Sequence, residues 1–295
     1  MIEKNLNLIN IPPFVLNDLR KKNLSFFGKV LLILKGKVLS YAVNNYSGKT
    51  LCNIINFYYG DNGKIYYKNC MYYKNVFNSK FYYPNSRFLR IVNDENILIN
   101  IINESYCLNF INFSNNDIII DCGANVGELK LALNQKVDQI NYYAFEPDKT
   151  IFKCLEINCS ENVKNLFNVG LSDSNNKRSL FIDSEGGNSS FIDFGSGQTE
   201  DVESITLDSL NLKEHIKLFK VEAEGFEPEV LVGSKKTLER VEYVSVDFGS
   251  ERGKDQSNTV TEVNKFLYDN NFSLVSFSNF RTVGLYKNNK IFKNN

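Results

Sequence analysis

The chain has 295 residues, of which 43% are hydrophobic and 23% charged, with 34 Lys and Arg against 34 Asp and Glu. This balance is typical of a globular protein of one large or two modest domains, and the zero net charge gives no overall field that would favour nucleic acid or a membrane as partner. The charge is unevenly spread, because residues 1–116 hold 14 basic and 6 acidic residues, a net +8, which leaves 20 against 28 and a net −8 for the remainder.

Neither a membrane span nor a secretion signal is evident. No apolar run reaches the roughly 18 residues of a membrane helix, since Lys35 and Lys37 interrupt the apolar stretch that begins at Val30. The first ten residues lack the basic and apolar regions of a signal peptide. The six cysteines include no CxxC pair and there is one histidine, so reduced, packed cysteines are favoured over a zinc site. We therefore expect a cytoplasmic protein that is not inserted into a membrane.

The first 85 residues form an aromatic and basic extension. Residues 1–116 contain 11 of the 16 tyrosines, and "KIYYKNCMYYKNVF" predicts strands from its Tyr and Phe content. Tyrosine faces suit sugar rings and lysines suit phosphates, which would make 1–85 an acceptor-binding or cap region. General richness in Asn, Lys, Ile, Tyr and Phe explains the pattern equally well. No RNA-binding motif is recognisable, so nucleic acid is not expected as a partner.

A second domain is predicted over residues 86–295. Residues 86–112 have apolar positions at helical spacing. Strands and helices then alternate, with the main strands at "DIIIDCG", "INYYAFEP", "VKNLFNVGLSDS", "IKLFKVEAEG" and "EYVSVDFG". "RSLFID" and "VESITLDSL" predict extra strands in an insertion, and "FSLVSFS" with "TVGLYK" predicts a C-terminal hairpin. The fold class is therefore α/β: a mostly parallel, doubly wound, Rossmann-like sheet with an antiparallel hairpin, preceded by an α+β extension.

The loop after the first of these strands reads D-x-G-x-N-x-G, with Asp121, Gly123, Asn125 and Gly127. A dinucleotide site would need G-x-G-x-x-G, and a P-loop would need G-x-x-x-x-G-K-[ST], which "YSGKT" at 46–50 only partly resembles. The amino-acid end of S-adenosylmethionine has an ammonium group for Asp121 and a carboxylate for backbone N–H groups at the helix start. This cofactor fits the loop best.

Two further acids follow neighbouring strands. Glu146 ends "AFEP", 25 residues after Asp121, where a carboxylate can accept hydrogen bonds from both ribose hydroxyls. Asp173 in "GLSDS" would accept a hydrogen bond from the adenine amino group. Each acid alone could simply begin the next element, but three acidic strand ends in this order indicate a nucleoside cofactor.

These segments resemble a known family. "DCGANVGE", "AFEPD", "VGLSDS", "ITLDSL" and "KVEAEGFEPEVLVGSKKTL" occur in the order seen in the FkbM-type methyltransferases, over about residues 115–250. The resemblance implies a class I S-adenosylmethionine-dependent fold and methyl transfer, generally to an oxygen of a sugar, a glycan or a secondary metabolite. The family commonly has Asp where this chain has Glu222, and its motif includes Glu227.

The acceptor side is expected after the fourth main strand. Lys220, Glu222 and Glu224 share one face if the strand alternates through them, and a lysine in an apolar strand needs a partner, for which Glu222 is nearest. Glu224 would orient the acceptor or remove its proton, with Glu222 as second candidate. Glu227 and Glu229 are explained as acids in the first turn of a helix.

Two other residues are of types that act as a general base or a metal ligand. His215 precedes the fourth main strand, at the amino end of the sheet and away from the cofactor, so it is not expected to act as the base. Asp247 ends the fifth strand, and carboxylates at strand tips four and five could hold Mg²⁺. We regard metal dependence as a minor alternative and assign no metal ligands.

The sequence thus predicts an O-methyltransferase that takes its methyl group from S-adenosylmethionine and acts on a small-molecule or glycan hydroxyl. A non-catalytic binding or scaffold protein with the same fold is the main alternative, and a nicotinamide oxidoreductase is a weaker one. The sequence does not specify the oligomeric state.

Overall fold

A computed structural model describes residues 11–19, 24–77, 79–159, 164–183 and 187–293. The chain forms two compact units, Met1–Leu98 and Ile99–Asn295. The boundary predicted after residue 85 and the role of residues 1–85 stay predictions.

The first unit combines helices with a small sheet. Its helices are α1 (Pro13–Leu19), α2 (Phe26–Asn45) and α3 (Gly48–Tyr59). Its strands, β1 (Ile65–Lys68), β2 (Met71–Val76) and β3 (Ser79–Tyr83), form an antiparallel sheet in the order β1-β2-β3. The stretch 64–77, predicted to contain strands, contains β1 and β2. None of the helices that the structure describes is both long and apolar enough to cross a membrane.

The second unit is built on a seven-stranded sheet. The strands after β3 are β4 (Ile118–Cys122), β5 (Asn141–Phe145), β6 (Asn165–Phe167), β7 (Gly170–Leu171), β8 (Asn176–Phe181), β9 (Thr199–Ile205), β10 (Ile216–Val221), β11 (Val241–Asp247), β12 (Phe272–Phe277) and β13 (Val283–Asn288). The large sheet has the order β12-β13-β11-β10-β4-β5-β6. Strands β11, β10, β4, β5 and β6 are parallel, and β13 pairs antiparallel with β11 and β12. The predicted sheet and terminal hairpin are confirmed.

Helices flank this sheet. After α3 they are α4 (Glu95–Ser105), α5 (Glu128–Leu133), α6 (Lys149–Cys159), α7 (Glu227–Val232), α8 (Val260–Asp269) and α9 (Asn289–Lys293). All five residues of β4 are buried, because parallel strands covered on both faces form continuous apolar runs. The carboxyl ends of β4, β5 and β10 therefore meet at one edge of a rigid core.

The predicted third strand is divided in two. Strand β6 ends at Phe167, where Asn168 donates through Nδ2 to the carbonyls of Glu146 and Pro147, and β7 then pairs with β9 in a separate three-stranded sheet. A Cβ on Gly170 would lie 2.3 Å from the Phe191 ring. The chain can turn away into the insertion because glycine leaves room for that ring.

Two predicted helices are also interrupted. The segment 86–112 contains 3-10 turns at Ser86–Ile91 and Leu108–Phe110 on either side of α4. The helix after β10 ends at Val232 and is followed by a 3-10 turn at Thr237–Arg240. Gly233 separates those two pieces, and a Cβ there would lie 1.9 Å from the Ser172 carbonyl oxygen.

Candidate active site

The glycine loop joins β4 to α5. Gly123, Asn125 and Gly127 all have positive φ, of 70°, 49° and 90°; glycine and asparagine adopt this conformation at low cost. A Cβ on Gly123 would lie 2.0 Å from the Glu222 carbonyl oxygen. Gly123 is therefore required for the loop to pass closely over the end of β10.

The backbone N–H groups of this loop donate hydrogen bonds to other groups of the protein. Those of Gly123 and Ala124 both donate to the Phe145 carbonyl at 3.0 Å, and that of Asn125 donates to Glu146 Oε2 at 2.9 Å. The prediction that N–H groups at the helix start hold the cofactor carboxylate concerns the first turn of α5, from Glu128, and these loop bonds do not test it. Contact of Gly123, Asn125 and Gly127 with the cofactor stays a prediction. The glycines of the loop would let a ligand approach its backbone closely.

Glu146 follows β5, as predicted, and is 6% exposed. Its Oε2 accepts from Asn125 N–H and its Oε1 from Asp148 N–H at 3.0 Å. Burial raises the pKa of Glu146 from its usual 4.5 to about 7. Each carboxylate oxygen has a second lone pair, so a carboxylate held in place by these two bonds retains capacity for two ribose hydroxyls.

Asp173 lies elsewhere than predicted. It follows β7, in the insertion sheet, and not the third strand of the large sheet. Its Oδ1 is 2.5 Å from Arg178 Nη2 and accepts from the hydroxyls of Ser172 and Ser174. Burial alone would raise the pKa of Asp173, but these hydrogen bonds and the Arg178 guanidinium outweigh it and lower that pKa. The predicted strand-end position was wrong because the strand divides, and the adenine role stays a prediction.

Lys220 is 2% exposed and lies between two carboxylates. Its Nζ is 3.1 Å from Asp121 Oδ1 and 3.0 Å from Glu222 Oε2, and it also donates to the carbonyls of Cys122 and Gly123. Burial alone would lower the pKa of Lys220, but the two carboxylates outweigh it and raise that pKa well above its usual value. The predicted pairing of Lys220 with Glu222 is confirmed.

Asp121 is 0% exposed. Besides Lys220, it accepts a hydrogen bond from the Tyr142 hydroxyl through Oδ2. A side chain so enclosed orders the end of β4 and does not reach the surface of the loop. The burial of Asp121 therefore disfavours direct contact with a cofactor ammonium. Its carboxylate can still attract that ammonium from a distance.

Glu222 continues this chain of contacts. Its Oε2 accepts from the Tyr106 hydroxyl at 2.5 Å, and its Oε1 pairs with Arg281 Nη1. The other guanidinium nitrogen, Arg281 Nη2, lies 2.6 Å from Asp247 Oδ2. Burial, only partly opposed by the guanidinium, raises the pKa of Asp247 to about 7. Asp121, Lys220, Glu222, Arg281 and Asp247 together form what we call the ion network.

Arg281 and Tyr106 are site residues that the sequence does not indicate. Arg281 lies in the turn between β12 and β13, where its N–H donates to the Ser278 hydroxyl. Tyr106 follows α4, and its carbonyl accepts from the Ser245 hydroxyl at 3.0 Å. Neither belongs to a motif. The only available signal was the apolar strand containing Lys220, which implied buried partners without saying where in the chain they lie.

Glu224 lies outside the strand. Because β10 ends at Val221, the alternation assumed through residue 224 does not hold, and Glu224 has a φ of 51° in a tight turn. Its carbonyl accepts from Ser190 Oγ at 2.8 Å, and its side chain lies beside that of Glu251. Glu224 is half-buried, and a non-glycine residue in this conformation is the kind of strained position found at functional sites.

Glu227 does more than begin a helix. It lies in the first turn of α7, as expected, but it is 1% exposed, and its Oε1 accepts from the N–H groups of Ala223 and Gly225, each at 3.0 Å. Its Oε2 accepts from Thr259 Oγ1 at 3.2 Å. Glu227 therefore fixes the turn that presents Glu224. Burial raises the pKa of Glu227 from its usual 4.5 to about 7.

This pKa predicts a stability change. The folded protein binds a proton at Glu227 between pH 4.5 and 7 that the unfolded chain does not, so stability falls as pH rises through this range. Glu227→Gln removes the ionisation and keeps an acceptor for both N–H groups. We expect it to raise stability by roughly 3 kcal/mol at pH 8 and little at pH 4.5, measured by thermal unfolding. Glu203→Gln, at an exposed position, is the control, and an equal gain at both pH values would contradict the prediction.

One segment of the insertion contacts both loops of the site. The Asn125 side chain donates through Nδ2 to the Gly187 carbonyl at 3.1 Å, and Ser190 donates to the Glu224 carbonyl. Residues 187–190 thus connect the glycine loop to the Glu224 turn. The insertion that the sequence predicts only as extra strands is therefore part of the site.

The two remaining candidates are placed as follows. His215 lies just before β10, is half-exposed, and has Nε2 3.5 Å from Glu242 Oε2, at the opposite end of the strand from Glu222. Asp247 ends β11 as predicted and is paired with Arg281. Within the described ranges, no three His, Cys, Asp or Glu side chains are grouped so as to hold a metal ion.

Fold and site together define a class I S-adenosylmethionine-dependent methyltransferase: a seven-stranded sheet with one antiparallel hairpin, a D-x-G-x-N-x-G loop and an acid after β5. The sequence matches the family model of the methyltransferase FkbM domain over residues 121–274. The chain belongs to the FkbM methyltransferase family.

Comparisons with individual proteins give only distant likenesses. No protein of curated function matches the sequence. An FkbM methyltransferase from Methylobacillus flagellatus is 12% identical with a TM-score of 0.45, over 68% of this chain and 52% of that one. A methyltransferase from Aquifex aeolicus, described as S-adenosylmethionine-dependent, is 12% identical with a TM-score of 0.40, over 64% and 90%. M. capricolum TrmK, solved with S-adenosylhomocysteine, is 13% identical with a TM-score of 0.37, over 64% and 67%.

Proposed function

We propose that the protein transfers the methyl group of S-adenosylmethionine to a hydroxyl oxygen of a sugar, a glycan or a similar metabolite. The family and fold establish the methyltransferase class, whereas the oxygen acceptor is our inference. The observation that carries it is the turn after β10, which presents the carboxylate of Glu224 at the edge where the cofactor is expected.

The residues present fit the cofactor. Glu146 would accept hydrogen bonds from the ribose hydroxyls. The sulfonium and ammonium of S-adenosylmethionine are cationic, and the ion network together with Glu251 contains four acids against two bases (Asp121, Glu222, Asp247 and Glu251 against Lys220 and Arg281). Because burial raises the pKa of Asp247 to about 7 and also raises that of Glu251, the cluster becomes more negative as these acids ionise, which favours a cationic ligand nearby. The cofactor supplies the electrophilic methyl group.

The acceptor oxygen needs a group that orients it and takes its proton. Glu224 is the better candidate, because the carboxylate of Glu222 is already held by Lys220, Tyr106 and Arg281. Glu251 lies beside Glu224, and burial raises the pKa of Glu251. We assign Glu224 the role of base or orienter, and Glu222 that of holding Arg281 and the end of β10.

The test is transfer of label from methyl-labelled S-adenosylmethionine to a panel of sugars, nucleotide-sugars and glycans, with the product analysed for an O-methyl group. We expect a labelled ether. Label found on nitrogen would overturn the choice of acceptor. Bound cofactor with no transfer to any acceptor class would favour the non-catalytic binding protein.

The role of Glu224 can be tested with the same assay. Because general acid–base catalysis contributes about 10²–10⁴-fold, Glu224→Gln is expected to lower kcat by at least 100-fold. The affinity for S-adenosylmethionine should be unchanged. Asp255→Asn, at an exposed position in the same unit, serves as control. An unaltered kcat in Glu224→Gln would exclude the proposed role.

A further inference from the structure

A cavity lies entirely within the first unit. It has a volume of about 640 Å³, opens to solvent, and is lined by the start of α3 and by strands β1 and β2. Three lysines and three tyrosines line it: Lys49, Lys64, Lys68, Tyr66, Tyr67 and Tyr73. We call it the basic cavity. Its volume falls within the range of about 300–1,000 Å³ typical of small-molecule sites.

The described lining of the basic cavity is positively charged. No acidic residue is among the described residues that line it, and in the part of the chain that the structure describes none of the three ammonium groups forms an ion pair with a carboxylate. Three like charges around one cavity repel one another, and an anion between them relieves that repulsion. A group with two negative charges, such as a phosphate ester, matches this arrangement.

Two of the tyrosines form an ordered surface. The rings of Tyr66 and Tyr73 are stacked with centroids 5.2 Å apart on one face of the β1–β2 pair, whereas Tyr67 lies on the opposite face and packs against Tyr72, with centroids 4.8 Å apart. Aromatic rings offer flat, rigid surfaces with polar hydroxyl ends. Such a surface suits a sugar ring, whose C–H faces are apolar and whose edges bear hydroxyls.

The two sides of the basic cavity are held at a fixed spacing. The Asn56 side chain on α3 accepts from Ile65 N–H at 2.8 Å and donates to Ile65 C=O at 2.7 Å. These two hydrogen bonds hold the backbone of α3 next to that of β1. A site that is already formed loses less conformational entropy when it binds a ligand.

We propose that the basic cavity binds the phosphate ester of a sugar, with lysines on the phosphate and tyrosines on the ring. The binding itself is independent of the methyl-transfer site. That the ligand is the methyl acceptor, or the carrier to which the acceptor is attached, rests on the proposed function. The net charge of the first unit, 14 Lys and Arg against 5 Asp and Glu over residues 1–98, favours the same anionic ligand.

Calorimetry on the full chain tests this proposal. The probes are glucose 1-phosphate, uridine diphosphate glucose, uridine diphosphate, glucose and inorganic phosphate. We expect the two phosphorylated sugars to bind at least tenfold more tightly than glucose or phosphate alone. Equal affinities for uridine diphosphate and its glucose ester would overturn the sugar assignment, as would tighter binding of a single-stranded RNA oligonucleotide.

Variants then locate the site. Lys49→Ala combined with Lys68→Ala should weaken binding of the better phosphorylated sugar at least tenfold, whereas Lys37→Ala, an exposed lysine outside the cavity, should not. Unchanged binding in the double variant would overturn the proposal. Titration of S-adenosylmethionine into the same variant separates the two sites. The variant should bind S-adenosylmethionine with the same affinity as wild type. If S-adenosylmethionine did not bind wild type, that result would count against the proposed function alone.

Discussion

Replacement of Glu146 by Ala is expected to weaken S-adenosylmethionine binding by about 100-fold or more while the protein stays folded. Two hydrogen bonds from ribose hydroxyls to a carboxylate would be lost, each worth about 1.5–3 kcal/mol, and every 1.4 kcal/mol is a factor of ten in affinity. The substitution also removes the acceptors of the Asn125 and Asp148 N–H groups, so some loss of thermal stability is expected as well.

Calorimetry with wild type, Glu146→Ala and Glu203→Ala measures this effect. Glu203 is an exposed acid in the same unit, so its variant should bind like wild type. Thermal unfolding of each variant shows that the comparison is made on folded protein. Wild-type affinity in Glu146→Ala would remove Glu146 from the cofactor site.

The same residue predicts a pH dependence. The pKa of Glu146 in the free protein is raised to about 7, and hydrogen bonds from ribose favour the ionised form. Binding must then release a proton below pH 7, so affinity rises between pH 6 and 8 and levels off above. This rise should be absent in Glu146→Ala. A wild-type affinity that falls over that range would contradict the proposed contact.

Replacement of Lys220 by Met is expected to have the largest effect on stability. It leaves Asp121 and Glu222 close together at the buried end of β4 and β10 without the ammonium that bridges them. Removing one member of a buried ion pair typically costs about 3–5 kcal/mol. In a unit of this size each kcal/mol shifts the unfolding midpoint by about 2–4 °C, so we expect a fall of about 10 °C.

Two comparisons test the cause. Lys177→Met breaks an exposed pair with Glu203, at 3.7 Å, and should cost less than about 1 kcal/mol. Combining Lys220→Met with Asp121→Asn removes one uncompensated carboxylate and should restore part of the loss. If Lys220→Met were no more harmful than Lys177→Met, the ion network would not hold the end of the sheet together.

The order of strands and helices in the second unit could be predicted because each is a compact apolar run between turn residues. The alternation from "DIIIDCG" to "EYVSVDFG" leaves little choice but a parallel sheet. The division of the third strand could not be predicted, because it depends on the packing of the Phe191 ring against Gly170, and Phe191 lies in the insertion. Helix lengths were overestimated for a similar reason at Gly233.

The site was predictable where it lies next to a strand end. Glu146, Lys220 and Glu222 are placed as the sequence indicates. Arg281 lies 59 residues beyond Glu222, and Tyr106 lies 116 residues before it, so their contacts depend on tertiary packing that no local pattern records. The second role of Glu227 is not predictable from the sequence, because an acid in a first helical turn is common, and only its hydrogen bonds to Ala223 and Gly225 show that it holds the preceding turn.

The most direct test of the central claim is a crystal structure of the protein with S-adenosylhomocysteine. We predict the ribose hydroxyls within hydrogen-bond distance of Glu146, and the sulfur at the carboxyl edge of β4 and β10, facing the turn that holds Glu224. A nucleoside bound away from Glu146, or a sulfur remote from that turn, would contradict the account.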